Sequence, residues 1–231
     1  MTKGLSIILG LAIFGLSACA GVPPPGPLDS QSAALGISVK LKAPIELFSR
    51  HPDRVYFVKV DKDDDIYTAS QIIPSNYVKG DYVYLLNATP GRYAVVASFL
   101  EQRGQMGRST TYTTFFSEEV IKRTQTVVTS GAMAFMGEYV LGTSGSFDEA
   151  DNAQRHYFHS LAPNALMGTG VMANILSGMT SGTFYYSGML KEEHKETQAE
   201  KSFLDTSAES FKGTGWGDRL QKRLDELSMH Q

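Results

Sequence analysis

His156 and His159 are the two side chains whose type and spacing fit metal chemistry best. Residues three apart on a helix are neighbours, so both imidazoles could face one zinc ion. No carboxylate stands at a recognisable ligand spacing, and the sequence favours a partly buried aromatic cluster with Tyr157 and Phe158 instead. The other three histidines are isolated along the chain: His51, His194 and His230.

Three aspartates form a second possible cation site. Asp61, Asp63 and Asp65 stand at alternate positions, as carboxylates do at the start of a calcium loop. The pattern then breaks, because Ile66 occupies the glycine position and Ile72 the position of the bidentate glutamate. The sequence therefore favours a solvated acidic turn, with the three aspartates as weak metal candidates.

Other motifs of enzyme and nucleotide-binding sites are missing from the sequence. It has no Gly-x-Ser-x-Gly elbow, and Gly168 and Gly170 lack both a third glycine at the required spacing and a Walker lysine. A formal net charge of −3 over 231 residues, with no basic stripe, argues against a nucleic-acid partner. These observations predict a non-enzymatic protein without catalytic residues or a bound cofactor.

Cys19 is the only cysteine of the chain, and it closes a leader-like segment. Lys3 precedes an uncharged apolar stretch that ends in Leu16-Ser17-Ala18-Cys19, which is the three-part form of a secretory signal. The stretch is shorter than the ~20 residues of a membrane-spanning helix, and prolines follow from Pro23. Residues 1–18 are therefore predicted to be a signal peptide.

Leu16-Ser17-Ala18-Cys19 resembles the lipobox of bacterial lipoproteins. The resemblance implies cleavage before Cys19, a diacylglycerol group on its sulfur and an acylated amine, and multiple acyl chains make a stable membrane anchor. Ala20 stands where an aspartate would resemble an inner-membrane retention signal, so the expected location is the outer membrane, on its periplasmic or its outer face. The alternative is an ordinary signal peptide with an incidental cysteine.

Two segments of different composition follow the leader. Residues 19–36 begin with a proline-rich run and are predicted to be a lipidated, semi-rigid tether. Residues 37–145 contain β-branched and aromatic runs separated by turn signals about every ten residues, which predicts an antiparallel β-sandwich.

Residues 82–95 carry a second resemblance. This segment is similar to the strand, Pro-Gly-x-Tyr turn and strand of transthyretin-like and carboxypeptidase-regulatory-like β-sandwiches, with Pro90, Gly91 and Tyr93 at the matching positions. Proline presets the turn and glycine accepts a positive φ. The resemblance implies a binding, adhesive or structural role and carries over no catalytic residue.

Residues 146–231 are predicted to be a helical region packed on the sandwich. A helix is expected over residues 147–161, with Ser146 as its N-cap and Glu149 completing a capping box. A second helix is expected over residues 196–212, with Phe203, Ser207 and Phe211 on one face, and a third, charged helix is expected to carry Trp216 on its apolar side. The helical region is thus expected to cover apolar surface of the sandwich.

Residues 166–186 lie between these helices and carry no charge. They are interpreted as core or protein interface in preference to a membrane-contacting element, because glycines and polar side chains interrupt their apolar character. Tyr185 and Tyr186 are expected to belong to a strand that rejoins the sheet.

The functional prediction combines the anchor with the β domain. We expect an envelope lipoprotein with a structural, adhesive or partner-binding role, with the membrane and an envelope protein as its partners. Two alternatives stay open. One is a metal-dependent envelope hydrolase that uses His156 and His159 with distant carboxylates, and the other is a carrier of an apolar ligand between sandwich and helices.

Overall fold

A computed structural model describes residues 23–42, 49–60, 65–67, 71–104, 108–165, 167 and 171–229. This part of the chain is mainly β, as the sequence predicts. Its strands are β1 (Ala33–Lys42), β2 (Ser49–Arg50), β3 (Arg54–Val60), β4 (Ile72–Pro74), β5 (Tyr77–Lys79), β6 (Tyr82–Ala88), β7 (Gly91–Arg103), β8 (Ser109–Phe116), β9 (Thr126–Val128), β10 (Met133–Ser144) and β11 (Thr183–His194). Its helices are α1 (Glu118–Thr124), α2 (Asn152–Leu161), α3 (Val171–Ser181), α4 (Thr197–Ser210) and α5 (Gly215–Met229).

The described strands form one curled, mixed sheet. Its main path is β4-β3-β7-β8-β11-β10-β1-β6-β5, with β2 paired to β1 and β9 paired to β7. The pairs β1–β10 and β8–β11 are parallel, so the predicted purely antiparallel arrangement is wrong for these two pairs. Parallel neighbours need long crossover connections, and local composition does not show which distant segments will pair.

Strand β1 separates two hydrophobic cores. Leu35, Ile37 and Val39 are buried in the larger core, whereas Ala34 belongs to a smaller core that α4 and α5 complete. Successive side chains of a strand point to opposite faces, which explains why this strand has no polar side chain from Ala33 to Ile37. The strand begins at Ala33, so residues 33–36 are part of the sheet although the sequence assigns them to the tether.

Helix α4 packs against β1 through an aromatic side chain. Phe203 and Ser207 are fully buried, which confirms the predicted buried face of this helix. The ring of Phe203 lies on the backbone of Gly36, where an added Cβ would fall far inside van der Waals contact with the ring. The missing side chain at position 36 therefore sets how closely the helix approaches the sheet.

A Gly36→Ala substitution is expected to lower the free energy of unfolding by about 2 kcal/mol, because the new methyl group forces Phe203 and α4 away from the sheet. Gly26→Ala is the matched control, since an added Cβ there has no neighbour within 4 Å. Urea unfolding of both variants measures the difference. Equal urea midpoints for the two variants would contradict the close contact between Gly36 and the ring of Phe203.

Helix α2 begins later than the sequence predicts. Its N-cap is Asp151, whose side chain accepts from the backbone N–H of Gln154, and the Gln154 side chain completes the capping box. Ser146, the predicted N-cap, instead bonds to the side chain of Asp148. Phe147 is buried in the larger core, and the chain can place it there because the helix has not yet begun.

Asp151 caps two helices at once. Its Oδ1 accepts from the backbone N–H of Gln154 at 2.9 Å, and its Oδ2 accepts from the backbone N–H of Glu118, the first residue of α1, at 2.6 Å. We expect Asp151→Ala to lower the free energy of unfolding by about 2 kcal/mol, since each lost cap costs about 1 kcal/mol. Thermal unfolding checks this value.

The exposed Asp148 supplies the control for Asp151. Its hydrogen bond reaches only Ser146, two residues earlier, so Asp148→Ala removes one carboxylate without uncapping a helix. Such surface changes usually alter stability by about 0.5 kcal/mol or less. An equal loss of stability in the two variants would show that capping is not the cause.

The C-terminal region contributes a strand to the interior of the sheet. β11 lies between β8 and β10 and contains Tyr185 and Tyr186, the two residues that the sequence assigns to a strand. The predicted helical extension therefore also completes the sheet. None of the helices within the described ranges is long and apolar enough to cross a membrane.

Candidate functional site

The predicted lipidation site Cys19 and two of the three aspartates, Asp61 and Asp63, lie outside the described residues. Asp65 is described, and its carboxylate accepts a hydrogen bond of 2.8 Å from the backbone N–H of Tyr67. This bond spans two residues, so Asp65 belongs to a local turn of the kind that aspartate side chains stabilise.

His156 and His159 both lie on α2 and pack against aromatic rings. The ring of His156 meets Tyr67 edge-on at 5.4 Å, and the ring of His159 meets Phe158 at 5.9 Å. Within the described ranges, no group of three or more His, Cys, Asp or Glu side chains is placed to hold a metal ion. Both histidines meet aromatic rings, as the sequence predicts, but they lie on the exposed side of α2 while Tyr157 and Phe158 are buried.

Four adjacent strands bring together a row of polar side chains that sequence reasoning missed. Tyr82 and Glu138 flank Ser38 in the register of β6, β1 and β10, and His194 of β11 is the partner of Glu138. The row lines a polar cavity of about 510 Å³ that His51 also borders. We name these four residues, Tyr82, Ser38, Glu138 and His194, the polar row.

The polar row is held by a short hydrogen bond. The Tyr82 hydroxyl donates to Glu138 Oε1 at 2.6 Å, and burial together with this bond raises the pKa of the phenol. Tyr82 therefore stays neutral and serves as a fixed donor. His51 and His194 are isolated in the sequence, and because the tertiary fold brings them to one cavity, no local signal could have found them.

The segment before β1 is fastened to the folded domain, and we call residues 25–32 the strap. The indole Nε1 of Trp216 donates to the carbonyl of Pro25 at 2.9 Å, and the side chain of Asn87 both donates to the Gly26 carbonyl and accepts from the Leu28 N–H. Further along, Arg219 donates to the carbonyl of Asp29 at 2.9 Å.

The strap shortens the predicted tether. Trp216 is fully buried, and the guanidinium of Arg219 lies over its ring at 4.8 Å, so two of the residues that bind the strap also support each other. Only residues 20–24 then separate Cys19 from the first fastened residue, Pro25. A chain of that length spans about 20 Å at most.

Helix α3 presents large apolar side chains to solvent along one face. We call this the α3 face, and its members, with exposed fractions in parentheses, are Met172 (68%), Ile175 (38%), Leu176 (58%) and Met179 (78%). Their spacing places them on one stripe of the helix. Of the two positions predicted for residues 166–186, core or protein interface, the core position does not hold for these four side chains.

The α3 face lies at the end of the sheet opposite the strap. Ala34, just after the strap, pairs with Met133 at the start of β10, whereas Ser144 at the end of β10 pairs with Ser187 of β11. Helix α3 ends at Ser181, directly before β11, so the length of β10 separates the two features. A strand of twelve residues spans about 36 Å.

The chain matches no protein-family model, no curated protein and no solved structure.

Proposed function

We propose that this protein is a lipoprotein of the bacterial outer membrane, anchored through Cys19, whose folded domain has a non-enzymatic, partner-binding role. The α3 face is its contact surface, and the occupant is an apolar surface of another envelope protein. The resemblance of residues 82–95 to transthyretin-like β-sandwiches implies a binding, adhesive or structural role, which is consistent with this proposal.

The observation that carries this proposal is the exposure of the α3 face. Single exposed apolar residues are common on soluble domains, but contiguous ones mark interaction surfaces. Two of the four side chains are methionines, whose flexible thioethers adapt to a partner's shape. The absence of charge from residues 166–186 favours an apolar partner surface over an ionic one.

The strap determines which end of the domain is available to a partner. Because Pro25 is fastened to Trp216, an acyl group on Cys19 holds that end of the sheet close to the bilayer. The α3 face lies at the other end, where it points away from the anchoring membrane. A protein in the adjoining compartment can therefore reach it.

Lysine on the α3 face is expected to prevent binding. In a Met172→Lys/Met179→Lys variant, recovery of the partner with the acylated protein should fall by about tenfold or more, because an apolar contact would have to desolvate two ammonium groups. Both positions are exposed, so the fold should be unchanged. Quantitative co-purification from membranes, followed by mass spectrometry, makes the measurement.

Val78→Lys is the matched control for these variants, because Val78 is an exposed apolar residue on β5, away from α3. Binding that survives lysine at positions 172 and 179, or that is lost equally in the Val78→Lys variant, would contradict the assignment of the α3 face.

A further inference from the structure

A basic groove lies beside the strap. It has a volume of about 850 Å³ and runs between residues 125–135 and helix α5. Its basic lining residues are Lys195, Arg219, Lys222 and Arg223, and its acidic ones are Glu200 and Glu226. Four basic and two acidic side chains line the groove, and Lys195 also pairs with Glu193 at 3.6 Å, so the excess is about one positive charge, although the whole chain carries a net charge of −3.

The cations of the groove differ in how far they are neutralised. Arg223 pairs with Glu200 at 3.4 Å and with Glu226 at 3.5 Å, which are long and partly exposed contacts. Arg219 donates hydrogen bonds to two carbonyl groups of the strap. Lys222 is exposed and makes no ion pair with any residue of the described ranges. The groove therefore retains positive charge that an anion can reach.

The strap is hydrogen-bonded to two residues that line this groove. Ser130, which lines the groove, donates its hydroxyl to the side chain of Gln31, and Arg219 donates to the Ser32 carbonyl. Two apolar side chains near the groove are exposed to solvent: Leu28 of the strap is 82% exposed, and Val127 of the groove wall is 57% exposed. Positive charge and exposed apolar side chains thus occur together where the chain leaves toward Cys19.

We infer that this groove binds the anionic headgroups of the bilayer in which the anchor is embedded, and so orients the domain on the membrane. The inference rests on the proposed anchoring through Cys19. Two observations carry it: the charge of the groove complements phosphate, and residues 20–24 cannot hold the strap more than about 20 Å from the acylated cysteine. Basic side chains that close to an anionic surface are attracted to it.

Hydrogen–deuterium exchange of the acylated, full-length mature protein in vesicles tests this inference. In vesicles that contain phosphatidylglycerol, amide exchange at residues 129–131 is expected to be slower than in vesicles of phosphatidylcholine alone. The slowing should be lost in a Lys222→Gln/Arg223→Gln variant and at high salt, which screens exposed charges. A Lys201→Gln/Lys212→Gln variant is the control, because it removes the same charge from a different groove on α4 and α5.

Each outcome decides the inference. Equal exchange in both kinds of vesicle, or an equal loss of slowing in the control variant, overturns it. The same slowing when inorganic phosphate is added to phosphatidylcholine vesicles also overturns it, because the groove would then bind free anions and not a lipid surface. The intact mass of the purified protein reports acylation separately, so a missing anchor would refute the proposed function without being mistaken for a failure of the groove.

Discussion

A Cys19→Ala variant is expected to lose all incorporation of labelled palmitate and to leave the membrane pellet. The chain has no other cysteine, so no second thiol can accept diacylglycerol. Each buried methylene of an acyl chain contributes about 0.8 kcal/mol to membrane binding, and several chains together far exceed the electrostatic attraction of the domain. Metabolic labelling, together with fractionation of the envelope, measures both losses.

A Ser17→Ala variant is the control for this experiment, because it keeps a small residue ahead of the cysteine and should be labelled normally. Label that persists in the Cys19→Ala variant would refute the lipid anchor. Wild-type protein that takes up no label would favour the alternative of an ordinary signal peptide with an incidental cysteine.

Trp216→Ala is expected to lower the free energy of unfolding by about 4 kcal/mol, because it empties a large, fully buried site in the smaller core. It also removes the donor that holds Pro25 and the ring under Arg219. The strap should then detach, and a protease should cut within residues 25–32 more rapidly than in the wild-type protein. Chemical unfolding and timed proteolysis measure the two effects.

Trp216→Phe separates these two contributions. Phenylalanine retains most of the buried apolar surface but has no indole N–H for the Pro25 carbonyl, so the hydrogen-bond loss should account for about 1 kcal/mol. Proteolysis of the strap should still be faster than in the wild-type protein. A strap as resistant as that of the wild type would show that the indole N–H does not hold it.

The sequence is informative where a pattern repeats within one element. The alternation of apolar residues with lysines over residues 39–42 and the aromatic and β-branched run of β6 predict two strands, and the spacing of Phe203 and Ser207 predicts the buried face of α4 correctly. These predictions succeed because burial on one face of a strand or helix imposes a period on neighbouring residues. The first residue of β1 is harder to predict, since Ala33 and Ala34 have little β propensity of their own.

Features that depend on distant partners could not be predicted in this way. Helix α1 interrupts a region predicted to be wholly β, and its cap is shared with Asp151, 33 residues further on. Ser146 and Asp151 are both acceptable N-caps, and the second is chosen because its carboxylate also serves α1. Likewise, the polar row exists only because four strands are aligned, and no local pattern records their register.

The α3 face was only partly predictable. The lack of charge in residues 166–186 indicates that the segment meets apolar surroundings, and a core position is the simplest way to provide them. The structure instead uses Gly178 to place the helix against the ring of Phe184, which leaves Leu176 and Met179 outside. The covered face of a short apolar helix is the one whose small residue, here Gly178, allows the closest approach. An uncharged composition alone does not specify which face that is.

Site-specific photo-cross-linking in living cells tests most directly whether a protein covers the α3 face. A photoreactive amino acid in place of Leu176 is expected to cross-link one envelope protein, and the product should disappear when Met172 and Met179 are lysines. The same group in place of Val78 should give no such product. No cross-link from position 176, or cross-links only to lipid or to a second copy of this chain, would contradict a protein partner at the α3 face.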